Sequence, residues 1–180
     1  TRVMDELPQS GEGRTITTTE PKFIPPDAVP VASAGGANLN VRLVDCVGYL
    51  VPGVIGDKED GKERMVSTPW MKDKIPFSRA AEIGTEKVIK EHSVVGVVVT
   101  TDGSFGEIPR QNYIEAEEKT VAQLKELEKP FVVVVNSAAP QNEKSRQLAA
   151  ELEEKYAVPV ILTNCQRMSE AEIDELFDKL

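Results

Sequence analysis

The stretch Asp45-Cys46-Val47-Gly48 is the first place where this sequence offers chemistry. It closes an apolar run with a carboxylate and puts a glycine three residues on. A carboxylate there suits a divalent cation held through water, and the glycine lets a backbone N–H approach a phosphate with no Cβ in the way. Many strands end in a turn containing Asp and Gly, so the motif alone also fits a plain turn. Upstream, Thr15-Ile16-Thr17-Thr18-Thr19 supplies a run of hydroxyls. One threonine of such a segment can coordinate Mg2+ and sense a terminal phosphate, although adjacent threonines equally suit an extended edge strand. Downstream, Thr100-Thr101-Asp102-Gly103, Asn136-Ser137-Ala138-Ala139-Pro140 and Thr163-Asn164-Cys165 each follow an apolar run. The first of these reads as a plain turn, with the lining of a pocket as the alternative.

Other chemistries find little support. His92 is the single histidine, placed at a predicted helix end where a cation suits the dipole. With two cysteines, Cys46 and Cys165, and no CxxC pair, neither a zinc site nor a disulfide framework is indicated, and both thiols are expected to be buried and reduced. No G-x-S-x-G elbow supports a serine nucleophile. The net charge of −9 comes with no basic tract, which argues against nucleic acid as a partner. It does not exclude an anionic nucleotide, because phosphate sites work through backbone N–H groups and one or two lysines. No apolar run is long enough for a membrane span, and no signal peptide opens the chain. It starts at Thr1 without a Met and is expected to be a piece of a longer protein.

The elements that must position these residues follow from periodicity. Val94–Val99, Phe131–Val135 and Val158–Leu162 are short and β-branched, the pattern of strands buried on both faces. Helical patterns fall at Phe77–His92, with Ser78 as a cap, at Asn112–Glu128, at Asn142–Tyr156 and at Ser169–Leu180, where Ser169 and Glu172 form a capping-box signature. Strands alternating with helices predict right-handed βαβ units and a mostly parallel sheet. Asn38–Val44 predicts a further buried strand ending at Asp45, with Leu39, Val41 and Leu43 on one side, and a short strand is expected near Val29–Ala32. Residues 1–40 read as a polar arm with an edge strand, 41–180 as the α/β core of one domain. Residues 49–76, rich in Gly and Pro, form a long excursion, which in a compact domain is usually functional or mobile. In open α/β sheets ligands sit at the carboxyl ends of the strands, where every candidate above falls.

These pieces suit a P-loop NTPase-like domain, a three-layer αβα sheet. In GTPases the third strand end carries N-K-x-D, whose Asp pairs with the guanine edge. Here Asn136 remains, Ser137 stands for the Lys and Ala139 for the Asp, so a strong guanine preference should be lost. The G-x-x-x-x-G-K-[ST] loop is missing. Gly11-Glu12-Gly13-Arg14-Thr15 is the nearest glycine cluster, with no Lys and no preceding apolar strand. The first strand and its phosphate loop are expected to precede Thr1.

Several longer blocks are more specific than any of these motifs. Asp5–Ser10, Thr18–Phe23, Val41–Tyr49, Thr68–Trp70, Ala80–Thr85, Thr100–Gly103, Tyr113–Glu118 and Asn136-Ser137 together resemble the stage IV sporulation protein A family, over nearly the whole chain to about Leu162. The resemblance implies a translation-factor GTPase-like fold, mostly parallel, but with ATP hydrolysis and Mg2+. Asp45 is then the Walker B-type metal residue, Thr18 and Thr19 the sensor threonines with Thr18 also near the metal, and Gly48, Asn136 and Ser137 the nucleotide contacts. It implies self-assembly into the base layer of the spore coat, in the mother-cell cytoplasm at the forespore surface. It also implies contacts with coat proteins and a small amphipathic membrane-anchoring peptide, through regions this chain lacks.

Overall fold

The computed structural model describes residues 22–32, 38–46, 48–54, 58–59, 61–68 and 71–180. Thr18 and Thr19, with the rest of the expected hydroxyl-rich arm before Pro21, lie outside the described residues. The chain divides into two compact units, residues 1–31 with 40–93 and residues 32–39 with 94–180.

The second unit is built on three parallel strands in the order β7 (Gly96–Thr101), β8 (Phe131–Asn136) and β9 (Val160–Thr163). Their register sets Val97 beside Val132 and Val99 beside Val134, and Val134 in turn beside Ile161. β8 lies between the other two, and all five of its apolar residues, Phe131 to Val135, are buried. That is why its sequence shows no alternation: a central parallel strand is covered on both faces. The helices are α2 (Ile114–Glu126), α3 (Glu143–Tyr156) and α4 (Glu170–Asp178). Consecutive right-handed crossovers place α2 and α3 on the same face. Their adjacency is fixed by Tyr156 and Lys155 of α3 reaching Glu117 and Glu118 of α2. The opposite face, through Val132, Val134 and Ile161, receives Leu176 of α4 and the following Leu180. This unit is therefore helix, parallel sheet, helix, in agreement with the expected layers and strand direction.

α4 is bolted to the sheet through its own cap. Ser169 and Glu172 exchange the two hydrogen bonds of a capping box, as their spacing predicts. The Glu172 carboxylate also accepts from the buried Thr163 hydroxyl at the end of β9, at 2.6 Å. The Thr163 hydroxyl first, then the Ser169 N–H and hydroxyl, pull the Glu172 carboxyl down to about 2 from its ordinary 4.5. A depressed carboxyl stabilises the fold fully above its unfolded value, and that contribution disappears as pH falls through the folded value. Stability should therefore fall between about pH 4.5 and 2 through this group. Glu172→Gln should flatten that part of the pH profile of unfolding; an unchanged acid limb would show that the helix is held otherwise.

The first unit holds most of a ribbon of β1 (Lys22–Ala32) with β2 (Asn38–Asp45) and the excursion that follows. The excursion contains two small antiparallel pairs, β3 (Lys58–Glu59) with β4 (Lys62–Glu63) and β5 (Met65–Val66) with β6 (Ile75–Pro76). It leads into α1 (Phe77–Lys87), which continues through a wide π-type turn over Val88–His92. Phe77, Ala80, Ala81, Thr85, Val88 and Ile89 are its buried face. Phe23 of β1 meets His92 edge-on at 6.2 Å and carries the Arg42 guanidinium 4.8 Å from its ring centre.

Several boundaries differ from those predicted. β7 starts at Gly96, leaving Val94 exposed, and β9 starts at Val160, after Pro159, which has no N–H for a ladder. Ser78 does not cap α1: Pro76 holds that position with no side-chain hydrogen bond, and Ser78 lies inside the helix. β2 is not a buried strand, because Leu39 and Leu43 are exposed; among the described residues it pairs only with β1. Cys165 is exposed rather than buried, since it follows β9 in a short 3-10 turn. Among the described residues no helix is long and apolar enough to cross a membrane.

Candidate functional site

Asp45 ends β2 with its side chain exposed, and the chain turns at Gly48, whose φ is +76°. That conformation favours glycine, and no atom of the described residues lies within 4 Å of where a Cβ would point. Partial burial, with the Asp45 charge beside it, pushes the Cys46 thiol up, so this cysteine is a poor thiolate. Among the described residues no group of three or more His, Cys, Asp or Glu could hold a metal ion by itself. A single exposed carboxylate beside an open glycine turn does fit Mg2+ shared with phosphate oxygens and water, since that ion keeps most of its water and takes one or two carboxylates.

In the second unit the carboxyl ends of the three strands are tied together by side chains. Asn136, ending β8, accepts the Cys165 N–H through Oδ1 at 3.0 Å, which couples it to the turn after β9. Ser137 is fully buried. Its hydroxyl donates to Ser145 Oγ at 3.3 Å and accepts the Ala139 N–H at 3.1 Å. Its side chain is therefore engaged within the protein, and Ser137 shapes the loop that begins at Asn136. Asp102, just after β7, takes the Ser104 N–H at 2.9 Å, the Ser104 hydroxyl and the Ser145 hydroxyl at 2.7 Å. Burial acts to raise its carboxyl, but the hydrogen bonds from Ser104 and from the Ser145 hydroxyl hold it below the usual range. Ser104 Oγ also accepts the Ala138 N–H at 2.8 Å. The turn after β7 is thus part of the β8 loop rather than an isolated turn.

A buried ion pair underlies these loops. Arg110 Nη2 lies 2.9 Å and 2.7 Å from the two Glu117 carboxylate oxygens, and Tyr156 donates its hydroxyl to Glu117 Oε1 at 2.7 Å. Arg110 Nη1 reaches Thr100 Oγ1 at 3.4 Å. Burial, then the hydrogen bond to Glu117, pushes the Tyr156 phenol well up, so it stays a donor. Gly103 lies against this arginine: with φ +83°, a Cβ there would come 2.8 Å from the Arg110 backbone nitrogen. Sequence reasoning passed over Arg110, Glu117 and Tyr156. Glu117 sits at i, i+4, i+7 with Val121 and Leu124 on the buried stripe of α2, a signal that a charged residue there needs a partner.

Asp45 and Gly48 belong to the first unit, Asn136 and Ser137 to the second. A parallel sheet with helices on both faces and polar loops at its carboxyl ends defines an α/β domain compatible with a P-loop NTPase-like fold. No solved structure matches the chain. The family model described as stage IV sporulation protein A, ATPase domain, matches residues 1–180, and the chain belongs to that family. It is 51% identical over 177 residues to the stage IV sporulation protein A of Clostridioides difficile strain 630, covering 98% of this chain and 36% of that protein. It is 52% identical over 172 residues to that of Bacillus anthracis, covering 96% of this chain and 35% of the relative. The corresponding Bacillus subtilis strain 168 protein is 51% identical over the same length. The chain spans about a third of the length of these relatives.

Proposed function

We propose that this chain forms part of an ATP-hydrolysing domain whose cycle acts as an assembly switch in sporulation. The observation that carries the reading is Asp45 exposed at the end of β2 with the open turn of Gly48 behind it, in a chain that matches the ATPase-domain family from end to end. Asp45 would hold Mg2+ through water and Gly48 would present its N–H to the terminal phosphate; Thr18 and Thr19 are proposed to close over it. The ion that Asp45 would hold there would supply positive charge against the charge that develops on the phosphates. The residues of this chain orient, exclude solvent and then change conformation when the terminal phosphate is lost, which alters the surface offered to a second copy. Self-assembly, contacts with coat proteins and a small amphipathic peptide, and a place in the mother-cell cytoplasm at the forespore belong to the same proposal.

The outer edge of β7 supports an incomplete sheet. Among the described residues β7 pairs only with β8. Val97 and Val99 are 41% and 61% exposed, on the face where their register neighbours Val132 and Val134 are buried under α4. A parallel strand at that edge, followed by a helix over those valines, would cover both. The strand that carries a phosphate-binding loop is proposed for this place.

The base-recognition loop favours adenine over guanine. Ala139 offers no carboxylate for the guanine N1–H and amino group, and its own N–H is taken by Ser137. In the full-length protein, Mg-ATP should bind at least about tenfold more tightly than Mg-GTP in a calorimetric competition. Equal affinity, or tighter GTP, would overturn the adenine reading, and no binding of either would leave a non-catalytic structural module.

A further inference from the structure

We infer that Asp102 is a positioning residue for the nucleobase loop, an inference that rests on the nucleotide reading above. A carboxylate accepts hydrogen bonds and donates none, so the hydroxyl protons of Ser104 and Ser145 must both point at Asp102. This fixes the remaining valence of each serine. Ser104 Oγ, its proton committed to Asp102, turns a lone pair to the Ala138 N–H. Ser145 Oγ, committed in the same way, accepts from Ser137, whose own oxygen then accepts the Ala139 N–H. One acceptor-only group thereby orients the hydroxyl protons of Ser104 and Ser145, and the serine oxygens so disposed accept two successive backbone N–H groups of the loop after Asn136. The Asp102 N–H itself donates to the Asn136 carbonyl at 3.4 Å, close to the same loop.

The side chains involved come from three separate segments: the turn after β7, the loop after β8 and the first turn of α3. Ser137 and Ser145 are buried, so water does not readily replace a lost partner. An amide at position 102 would bring donors where the network needs an acceptor and would reverse or break the chain. The loop would then be free to sample other conformations, and a base would meet a mobile rather than a prepared surface.

The test uses the full-length protein and Asp102→Asn, with binding of Mg-ATP and of Mg-tripolyphosphate, which has no base, followed beside kcat, KM and thermal stability. Asp102→Asn should weaken Mg-ATP about tenfold, raise KM by a similar factor and change kcat less than about twofold. Tripolyphosphate affinity should stay within about twofold, because the phosphate end is held elsewhere. Ser104→Ala, which removes the hydroxyl joining Asp102 to the Ala138 N–H and leaves the Ser145 branch in place, should give the same pattern at roughly threefold and decides the matter if Asp102→Asn does not fold. Equal losses for ATP and tripolyphosphate, or a lower melting temperature with unchanged KM, would overturn the inference in favour of a purely structural role. If the unaltered protein binds tripolyphosphate but not ATP better, the base-loop inference fails while a phosphate site survives; if it binds neither, the nucleotide reading itself fails.

Discussion

Asp45→Asn in the full-length protein should lower ATP turnover by roughly a hundred- to a thousandfold, the usual cost of removing one preorganised charge that acts on a reacting phosphate. The substitution keeps size and shape and removes only the negative charge. Because Asp45 is exposed at the end of β2, the fold should lose no more than about 0.5 kcal/mol. The two readouts separate a functional from a structural role: turnover collapses while the unfolding midpoint holds. The Mg2+ concentration needed for half-maximal activity should rise as well, since the carboxylate orients the ion's water shell. Turnover within about threefold of the unaltered protein would remove Asp45 from the metal role and leave the Asp-x-x-Gly sequence as an ordinary turn.

Glu117→Ala should destabilise the domain by about 3–5 kcal/mol, the cost of stranding one member of a buried ion pair. The Glu117 side chain is 1% exposed and that of Arg110 is 16% exposed. Among the described residues, removing the carboxylate leaves the guanidinium with only the long contact to Thr100, and Arg110 Nε has no hydrogen-bond partner there. Tyr156 would also lose its acceptor. The cost arises from the unpaired groups rather than from the worth of the pair, and this can be checked. A triple replacement, Arg110→Met with Glu117→Leu and Tyr156→Phe, removes all three polar groups and should recover most of the loss in urea unfolding. If the triple variant is as unstable as Glu117→Ala, shape rather than charge is what the site requires. Tyr156→Phe alone should cost about 1.5–3 kcal/mol, as for a hydrogen bond to a charged group.

The ion pair and the Asp102 network were not legible in the chain, for a common reason. Each joins residues far apart in sequence, such as Glu117 with Tyr156 and Asp102 with Ser145, and a single sequence carries no signal of which polar side chains will meet. The exposure of Leu39 and Leu43 was hidden in the same way. An alternating apolar pattern states that a face can be buried, but the neighbours that a strand finds decide whether it is.

What the sequence determined by itself was local. The valine run before Asn136 made a parallel strand covered on both faces, because β-branched residues without polar alternation suit the inside of a covered sheet; the run before Thr101 also paired in parallel, but among the described residues nothing covers Val97 and Val99. Ser169 and Glu172 made their cap, because both bonds close within three residues. Asn142 capped α3 through a single bond, its side-chain oxygen accepting the Lys144 N–H. The helical pattern at Asn112–Glu128 made α2, with Val121 and Leu124 turned inward. The tertiary structure decided how the ends of the strands were joined. It buried Ser137, engaged Asn136 with Cys165 and made Asp102 the common acceptor of two loops, because hydrogen bonds between segments depend on the register and crossover that bring them within about 3 Å.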